Sequence, residues 1–408
     1  MPSSFAWLDY SEDERRRMLD AVDLFSEKGT RDEMGIGAVR DAFADLFFPG
    51  TSTIQTRARY FLFVPWIYGS LEQRRTPSSE IVLRARQREI GLIDVLAAAH
   101  PNSGAGVIGI TARASLQRLP SNVYWQGLRA WGIRSFGGSQ EQYHRYLDRH
   151  YRQNGSGRRA ASGEPGVISS ANWHSSLPEA PDKFATECDF RLRPQESEYL
   201  RERIMSRQTG SLLAFMVDRG LPKVQLAYPW EHPQLAALPA VNREQLSHAQ
   251  NFSEVIHGAP LLYNLMLAEK ADRAELIKQY RAELKDWSTA VQQRGAELAK
   301  WDRARFWQIV QSAGALVAVP TRSFINSWWD LALQLPDSKS IVSLRQARDL
   351  VLVRERYLKG KLARLENTRA LELWTGKAGT GRLDFRWSQA KIIINDILQG
   401  QTKGAANA

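Results

Sequence analysis

The sequence predicts a mainly α-helical fold with minor β content, and three observations predict it. Apolar residues recur at helical spacing through most of the 408 residues. Proline and glycine punctuate these segments at intervals typical of helix ends. Only one short stretch, before Pro194, reads as a strand. Apolar residues make up 43% and charged residues 24%, which is a globular mixture rather than a disordered one. The length allows two or three domains, because single cores rarely grow beyond about 250–300 residues.

Residues 12–28 place Met18, Val22 and Phe25 on one helical face, after a Ser11 that can cap with Glu14. Gly35-Ile36-Gly37 interrupts the pattern, AVRDAFADLFF resumes it at 38–48, and Pro49-Gly50 ends it. Thr51, Ser52 and Thr53 then offer capping hydroxyls to an apolar segment, IQTRARYFLFVPWIYGS, helical or extended and suited to burial. Further helical patterns cover roughly 79–99, 105–118, 121–131 and 139–152. Residues 153–183 are rich in Gly, Ser, Arg and Pro without periodicity, and read as a linker or mobile loop. A domain boundary is therefore expected there, between an arginine-rich helical domain at 1–152 and a helical domain at 184–408.

In the second domain FATECDFRL (184–192) supplies the candidate strand, and QESEYLRERI restarts a helix with acidic residues in its first turn. Helical patterns follow at about 196–207, 210–218, 244–256, 260–313, 321–333 and 340–368. The two long ones are expected to pack as antiparallel helices. TGKAGTGR (375–382) reads as a loop before the final segment LDFRWSQAKIIINDIL. No repeat of 20–50 residues is visible, which argues against a solenoid.

Charge is more informative than its net value of +11. Residues 1–50 hold six basic and eleven acidic side chains, whereas residues 51–160 hold sixteen basic and six acidic ones. All sixteen are arginine, although lysines such as Lys270, Lys278 and Lys285 occur later. Guanidinium groups fork onto phosphate oxygens and stack on bases, so this region is suited to nucleic acid. The first residues lack the pattern of a secretory signal, and no stretch approaches the roughly 18 apolar residues of a membrane span. A single cysteine, Cys188, excludes an internal disulfide framework. A cytoplasmic protein with no membrane partner is the expectation.

Two stretches carry the binding expectation. In LFFPGTSTIQTRARYFL (46–62), a helix, a Pro-Gly turn and a second helix carrying Arg57 and Arg59 are loosely similar to the hairpin of helix-hairpin-helix DNA-binding proteins. There Gly50, Thr51, Ser52 and Thr53 would present backbone N–H groups to a phosphate. Ser52 stands where that hairpin has its second glycine. In residues 106–134, Arg113, Arg118, Arg129 and Arg134 interleave with Tyr124, Trp125 and Trp131, and Arg113, Arg118, Trp125 and Arg134 are the candidate DNA contacts.

Most catalytic signatures are missing. TGKAGTGR departs from a P-loop at Arg382 and Leu383, and there is no HExxH or GxSxG. His144 and His150 stand six apart, too poorly aligned on a helix for a metal pair, so neither metal nor cofactor is called for. Carboxylates remain. Asp41 and Asp45 lie four apart on one helix face, and Asp45 near the helix C-terminus needs a compensating cation, for which Arg57 or Arg59 is available. Such a carboxylate can stabilise the oxocarbenium-like sugar formed when a flipped base is excised. Glu254 and His257 form an alternative acid/base pair on one helix.

Three runs, RDEMGIGAVRDAFADLFFPGTSTIQTRARYFLFVPWIY, RLPSNVYWQGLRAWGIR and HGAPLLYNLMLAE, resemble those of an uncharacterised bacterial domain-of-unknown-function family over most of the chain. Some such proteins resemble components of phage-defence loci, beside helicases and nucleases. The resemblance implies modified phage DNA as ligand and a helicase or nuclease as partner. A further similarity to defence DNA glycosylases implies hydrolysis of N-glycosyl bonds. The absence of lysine from 51–160 makes that enzyme monofunctional if this segment acts. The alternatives are a non-catalytic DNA-binding or adaptor subunit, and a protein scaffold built on the long helices.

Overall fold

The computed structural model describes residues 32–100, 104–157, 172–220, 225–334 and 340–405, and the helix expected at 12–28 lies outside them. The described chain is mainly helical. Its one β feature is an isolated antiparallel bridge between Arg134 and Trp173. Two compact units are built from interleaved segments. Unit 1 draws on the described residues of Met1–Ala42 and on Ser247–Leu383, and unit 2 on those of Phe43–Leu246 and Asp384–Ala408.

Helix α1 (Gly37–Phe47) leads into unit 2, which holds α2 (Tyr60–Gln73), α3 (Ile81–Ala99), α4 (Pro120–Ala130), α5 (Gln140–Gly157), α6 (Pro194–Arg207) and α7 (Leu212–Arg219). Helix α8 (Ala240–Lys270) leads into unit 1, which holds α9 (Ala274–Gln293), α10 (Gly295–Leu298), α11 (Arg303–Ser312), α12 (Val319–Leu333), α13 (Ser340–Ser343), α14 (Arg345–Lys359) and α15 (Thr368–Glu372). The chain then returns to unit 2 as α16 (Trp387–Ala405). No described helix is long and apolar enough to cross a membrane.

In unit 2, α2 is apolar on all sides and buried from Tyr60 through Tyr68, as a central helix must be. α4 begins with Pro120 in its first turn, where the missing N–H costs nothing, and the Asn122 side chain accepts the Leu119 N–H at 2.9 Å. α6 and α16 approach closely. Ser197 Oγ donates to the Ile397 carbonyl at 2.5 Å, and a Cβ on Gly400 would lie 2.7 Å from Ser197 Cβ. Phe43, Phe47 and Trp230 cluster around Phe385, while Phe48 packs on Trp387. The C-terminal segment thus completes this core.

In unit 1, Pro260 sits inside α8 and cannot donate to the carbonyl four residues back. Indole N–H groups bind the helix just before it: Trp287 donates to the Glu254 carbonyl at 2.8 Å and Trp328 to the Val255 carbonyl at 2.9 Å. Fully buried Asn264 uses both ends of its amide, donating to the Pro260 and Ala378 carbonyls and accepting from Trp374 Nε1 and the Ala378 N–H. Buried Arg354 donates to the carbonyls of Met34 and Gly35 and to Thr321 Oγ1, and so fixes the 34–35 turn.

Several elements differ from the sequence expectation. Residues 184–192 form turns rather than a strand, with Phe190 and Leu192 still buried. Over 105–118 only a single turn of 3₁₀ helix forms, Arg113–Ser115. The 260–313 pattern is not one helix: it belongs to α8, α9, α10 and α11, with a left-handed Asp272 and an Asp302 N-cap among the breaks. The 340–368 pattern is also broken, by Leu344 and Gly360, so the expected pair of long antiparallel helices does not form. Residues 158–171 of the expected linker lie outside the described residues, whereas Asn172 and Trp173 are buried in unit 2.

Candidate nucleic-acid interface

The Pro49-Gly50 turn is built by close packing. Gly50 takes φ +81°, and an added Cβ would meet Trp131 Nε1 at 2.5 Å, so glycine is required twice over. Trp131 Nε1 donates to the Pro49 carbonyl at 2.9 Å, and Trp131 stacks on Phe61 at 3.8 Å. Thr51 Oγ1 and N–H both bond the Phe48 carbonyl, and the Ser52 N–H bonds Gln55 Oε1. Ser52 Oγ is buried without a partner, and Thr53 is exposed. Helix α2 starts only at Tyr60, so these residues do not form its N-terminus as the hairpin comparison expected. The Thr51 and Ser52 backbone donors are directed into the turn itself.

Arg57 and Arg59 precede α2 and face inward. Arg57 grips Asp396 of α16 with Nε and Nη2, while the Ala58 N–H also bonds that carboxylate. Burial raises the Asp396 pKa, and Arg57 opposes the rise. Arg59, 4% exposed, is bidentate to Glu196 at 2.8 and 3.0 Å and reaches Asp189 at 3.2 Å. Removing one partner from such a buried pair costs about 3–5 kcal/mol. Tyr124 OH holds the backbone of both segments by accepting from the Thr56 and Arg57 N–H groups and donating to the Arg57 carbonyl.

Arg134 is 1% exposed. It donates to the carbonyls of Trp125, Phe136 and Gly138, and its guanidinium lies 4.5 Å from the Trp125 ring. Burial, with Arg129 nearby, lowers its pKa to about 10. Trp125 is itself buried and donates to the Gly138 carbonyl. These two side chains shape the 134–138 loop. Arg113 is exposed and ion-paired with Asp94 at 2.5 Å, and Arg118 is half-buried just before α4.

The candidate carboxylates are placed separately. Asp41 pairs with neighbouring Arg40 at 3.0 Å. Asp45 is exposed and is compensated by Arg386, not by Arg57 or Arg59, because both of those are committed elsewhere. Glu254 is held by Arg294 and by Arg382 at 2.7 Å. His257 Nε2 donates to the Thr380 carbonyl at 3.1 Å, and burial lowers its pKa. Among the described residues no group of three or more His, Cys, Asp or Glu side chains could hold a metal.

A different set of arginines faces solvent. α2 ends with Arg74 at its C-cap and Arg75 in the left-handed conformation at φ 51°. The Arg75 N–H bonds the Glu72 carbonyl and the Thr76 N–H bonds that of Leu71, the pattern that usually places glycine where Arg75 stands. The following turn is pinned to α5, since Asp148 accepts the Ser78 N–H at 2.9 Å and its own N–H reaches Ser78 Oγ. Arg149, one residue on, is exposed. Arg74, Arg75 and Arg149 make no ion pair with any described residue. Exposed Arg84 and Arg145 flank them in short-range pairs with Glu80 and Glu141. Burial, together with the charge of Arg74, lowers the pKa of Arg88.

α2 and α3 bury two acids that sequence reasoning did not single out. Glu72 accepts from Tyr143 OH, from Trp173 Nε1 at 2.8 Å and from Asn172 Nδ2. Glu89 is fully buried and accepts from the Ser121 N–H at 2.7 Å and Ser121 Oγ at 2.8 Å. Gln140 Nε2 links Ser121 Oγ to Tyr68 OH, which lies 3.4 Å from His144 Nε2 on half-buried His144. Burial pushes the Glu89 pKa up to about 7. Glu89 lies on the helix expected at 79–99 and Glu72 just beyond the apolar segment that ends at Ser70, and nothing in the sequence marked either as buried.

No curated protein and no solved structure matches the chain. One family profile does, over residues 2–400, and the chain therefore belongs to that family of unknown function, DUF6361.

Proposed function

We propose that this protein binds DNA through the arginines exposed at the end of α2 and along α5. The observation that carries this reading is the unneutralised trio Arg74, Arg75 and Arg149, fixed around a turn that is pinned to α5. Arg75 occupies a left-handed position that costs an L-residue about 1–2 kcal/mol and that glycine would fill freely. Strain of this kind is retained where a side chain is useful. Phosphate contacts from such a rim fix a duplex without reading its sequence. The ligand in this reading is phage DNA, and the protein serves a defence assembly beside a helicase or nuclease.

The test is fluorescence anisotropy with a labelled duplex. The triple variant Arg74→Glu, Arg75→Glu and Arg149→Glu is expected to lose more than tenfold in affinity while keeping its helical circular dichroism. Unchanged affinity in a folded triple variant would overturn the proposal.

A second reading, excision of a modified base, is favoured by Glu89, an acid near neutrality linked through Ser121, Gln140 and Tyr68 to half-buried His144. In this reading Glu89, fully buried, does not touch the base; half-buried His144 at the other end of the chain delivers the proton to the departing base. Modified phage DNA incubated with the protein and then treated with alkali should break at abasic sites. Glu89→Gln and Asp45→Asn separate the two candidate carboxylates in that assay, and intact strands across several modified genomes would leave binding alone.

A further inference from the structure

α4 is followed, after Trp131 at its C-cap, by Gly132, whose φ of +65° allows the Gly132 N–H to bond the Arg129 carbonyl and the Ile133 N–H to bond that of Leu128. Two guanidinium groups of α6 lie directly against this glycine. A Cβ there would stand 2.5 Å from Arg207 Nε and 3.1 Å from Arg203 Nη2. Two like charges so placed repel each other, yet neither forms an ion pair with any described residue. Arg203 Nε donates to the Trp131 carbonyl at 3.3 Å and Nη1 to His174 Nε2 at 2.7 Å, which leaves Nη2. Arg207 is exposed. The end of α4 supplies only about half a negative charge to set against two full positive ones.

The remaining neighbours are also short of partners. His174 is held in place because its N–H donates to the Ile133 carbonyl at 2.8 Å, beside the Arg134–Trp173 bridge. Since Nε2 accepts from Arg203, its proton belongs on Nδ1, which is buried with no acceptor. Tyr199 lies one turn before Arg203 on α6, packs its ring 5.8 Å from that of His174, and buries a hydroxyl with no partner. Leaving such a group unsatisfied costs about 1–3 kcal/mol. Burial and the two arginines lower the His174 pKa, and the Glu202 carboxylate opposes them in part.

We propose that Arg203 and Arg207 form a phosphate-binding notch over Gly132, with His174 bonded to Arg203 as its reporter. A phosphate group supplies negative charge for the two guanidiniums and acceptor oxygens for Arg203 Nη2 and for Arg207. The His174 Nδ1 and the Tyr199 hydroxyl are closed to solvent and take no part in the contact. The phosphate can belong to a nucleic-acid strand or to a free phosphorylated molecule. The notch uses none of Arg74, Arg75 and Arg149, so it stands or falls separately from the binding rim.

The test follows His174 in the full chain by NMR of histidine ring-labelled protein, with His174→Gln identifying its signal among the seven histidines. Inorganic phosphate, pyrophosphate, and an oligonucleotide with or without a 5′-phosphate are titrated in turn. A saturable shift of the His174 signal, with its titration midpoint moving upward, is expected. Arg207→Ala should weaken it at least tenfold and Arg207→Lys less. Response to inorganic phosphate as strong as to DNA assigns a free phosphate, and response to the oligonucleotide alone assigns the strand. No saturable shift with any probe, or a shift unchanged in Arg207→Ala, overturns the notch. The Arg74/Arg75/Arg149 triple variant should leave the response to inorganic phosphate intact even if duplex binding is lost.

Discussion

Glu89 shows how far a single side chain can be displaced from its solution behaviour. It is buried with hydroxyl and amide donors and no bonded cation, and its pKa of about 7 lies above the ordinary 4.5. The folded state therefore holds the proton more tightly than the unfolded one. The resulting stabilisation is complete below about pH 4.5 and is lost as the pH rises through about 7. At about 1.4 kcal/mol per pKa unit the effect is roughly 3 kcal/mol. Glu89→Gln, which mimics the protonated acid, should flatten this part of the pH dependence of urea unfolding and make the protein more stable than wild type near pH 8. A slope identical to wild type would assign the dependence to other groups. Arg59 and Arg134 teach the complementary lesson. Their type and location in an arginine-rich region were plain in the sequence, but their commitments were not. Glu196 lies 137 residues from Arg59, and Asp396 lies 339 from Arg57. Pattern reading cannot distinguish an arginine that waits for a phosphate from one that already has its carboxylate.

Among the elements, α3, α4, α6 and α12 were legible because apolar periodicity coincides with clear starts such as Pro120 and Pro194. The breaks within 260–313 were not. One follows Lys270 and turns on Asp272 in a left-handed conformation, with neither glycine nor proline there to announce it. The Phe190 and Leu192 region looked like a strand because its burial is real, but no partner edge is present among the described residues to pair with it. Helix α8 offers a sharp test of packing against propensity. Gly258 lies in its interior, where alanine ordinarily gains about 1 kcal/mol. An added Cβ would come within 2.4 Å of Trp287 Cζ2, and the Trp287 indole is anchored to the Glu254 carbonyl. Overpacking costs about 1–3 kcal/mol, so Gly258→Ala should destabilise the protein. A raised melting temperature in this variant would show that Trp287 can yield.

For the whole molecule, the described arginines of residues 51–160 include internally paired side chains such as Arg57 and Arg59 as well as the exposed rim. The rim, being exposed and without ion-pair partners among the described residues, can release counterions on binding. With three to five phosphates neutralised, log Kd should change with log salt by roughly 3–5, at about 0.9 per phosphate. The Arg74/Arg75/Arg149 variant should flatten that dependence. Affinity insensitive to salt between about 50 and 200 mM would count against DNA as the ligand and for a protein partner. The interleaving of the two units has a further consequence, felt while the chain is being made. Most of unit 2 has been made when Leu246 leaves the ribosome, but Phe385, Trp387 and Asp396, which complete it, emerge only after the long segment of unit 1. At about 5–20 residues per second the delay is on the order of ten seconds. Throughout it Arg57 has no Asp396, and the aromatic face of Phe43, Phe47 and Phe48 has no cover from Phe385 and Trp387. Synthesis of this protein therefore passes through an interval in which chaperone protection of that face matters most.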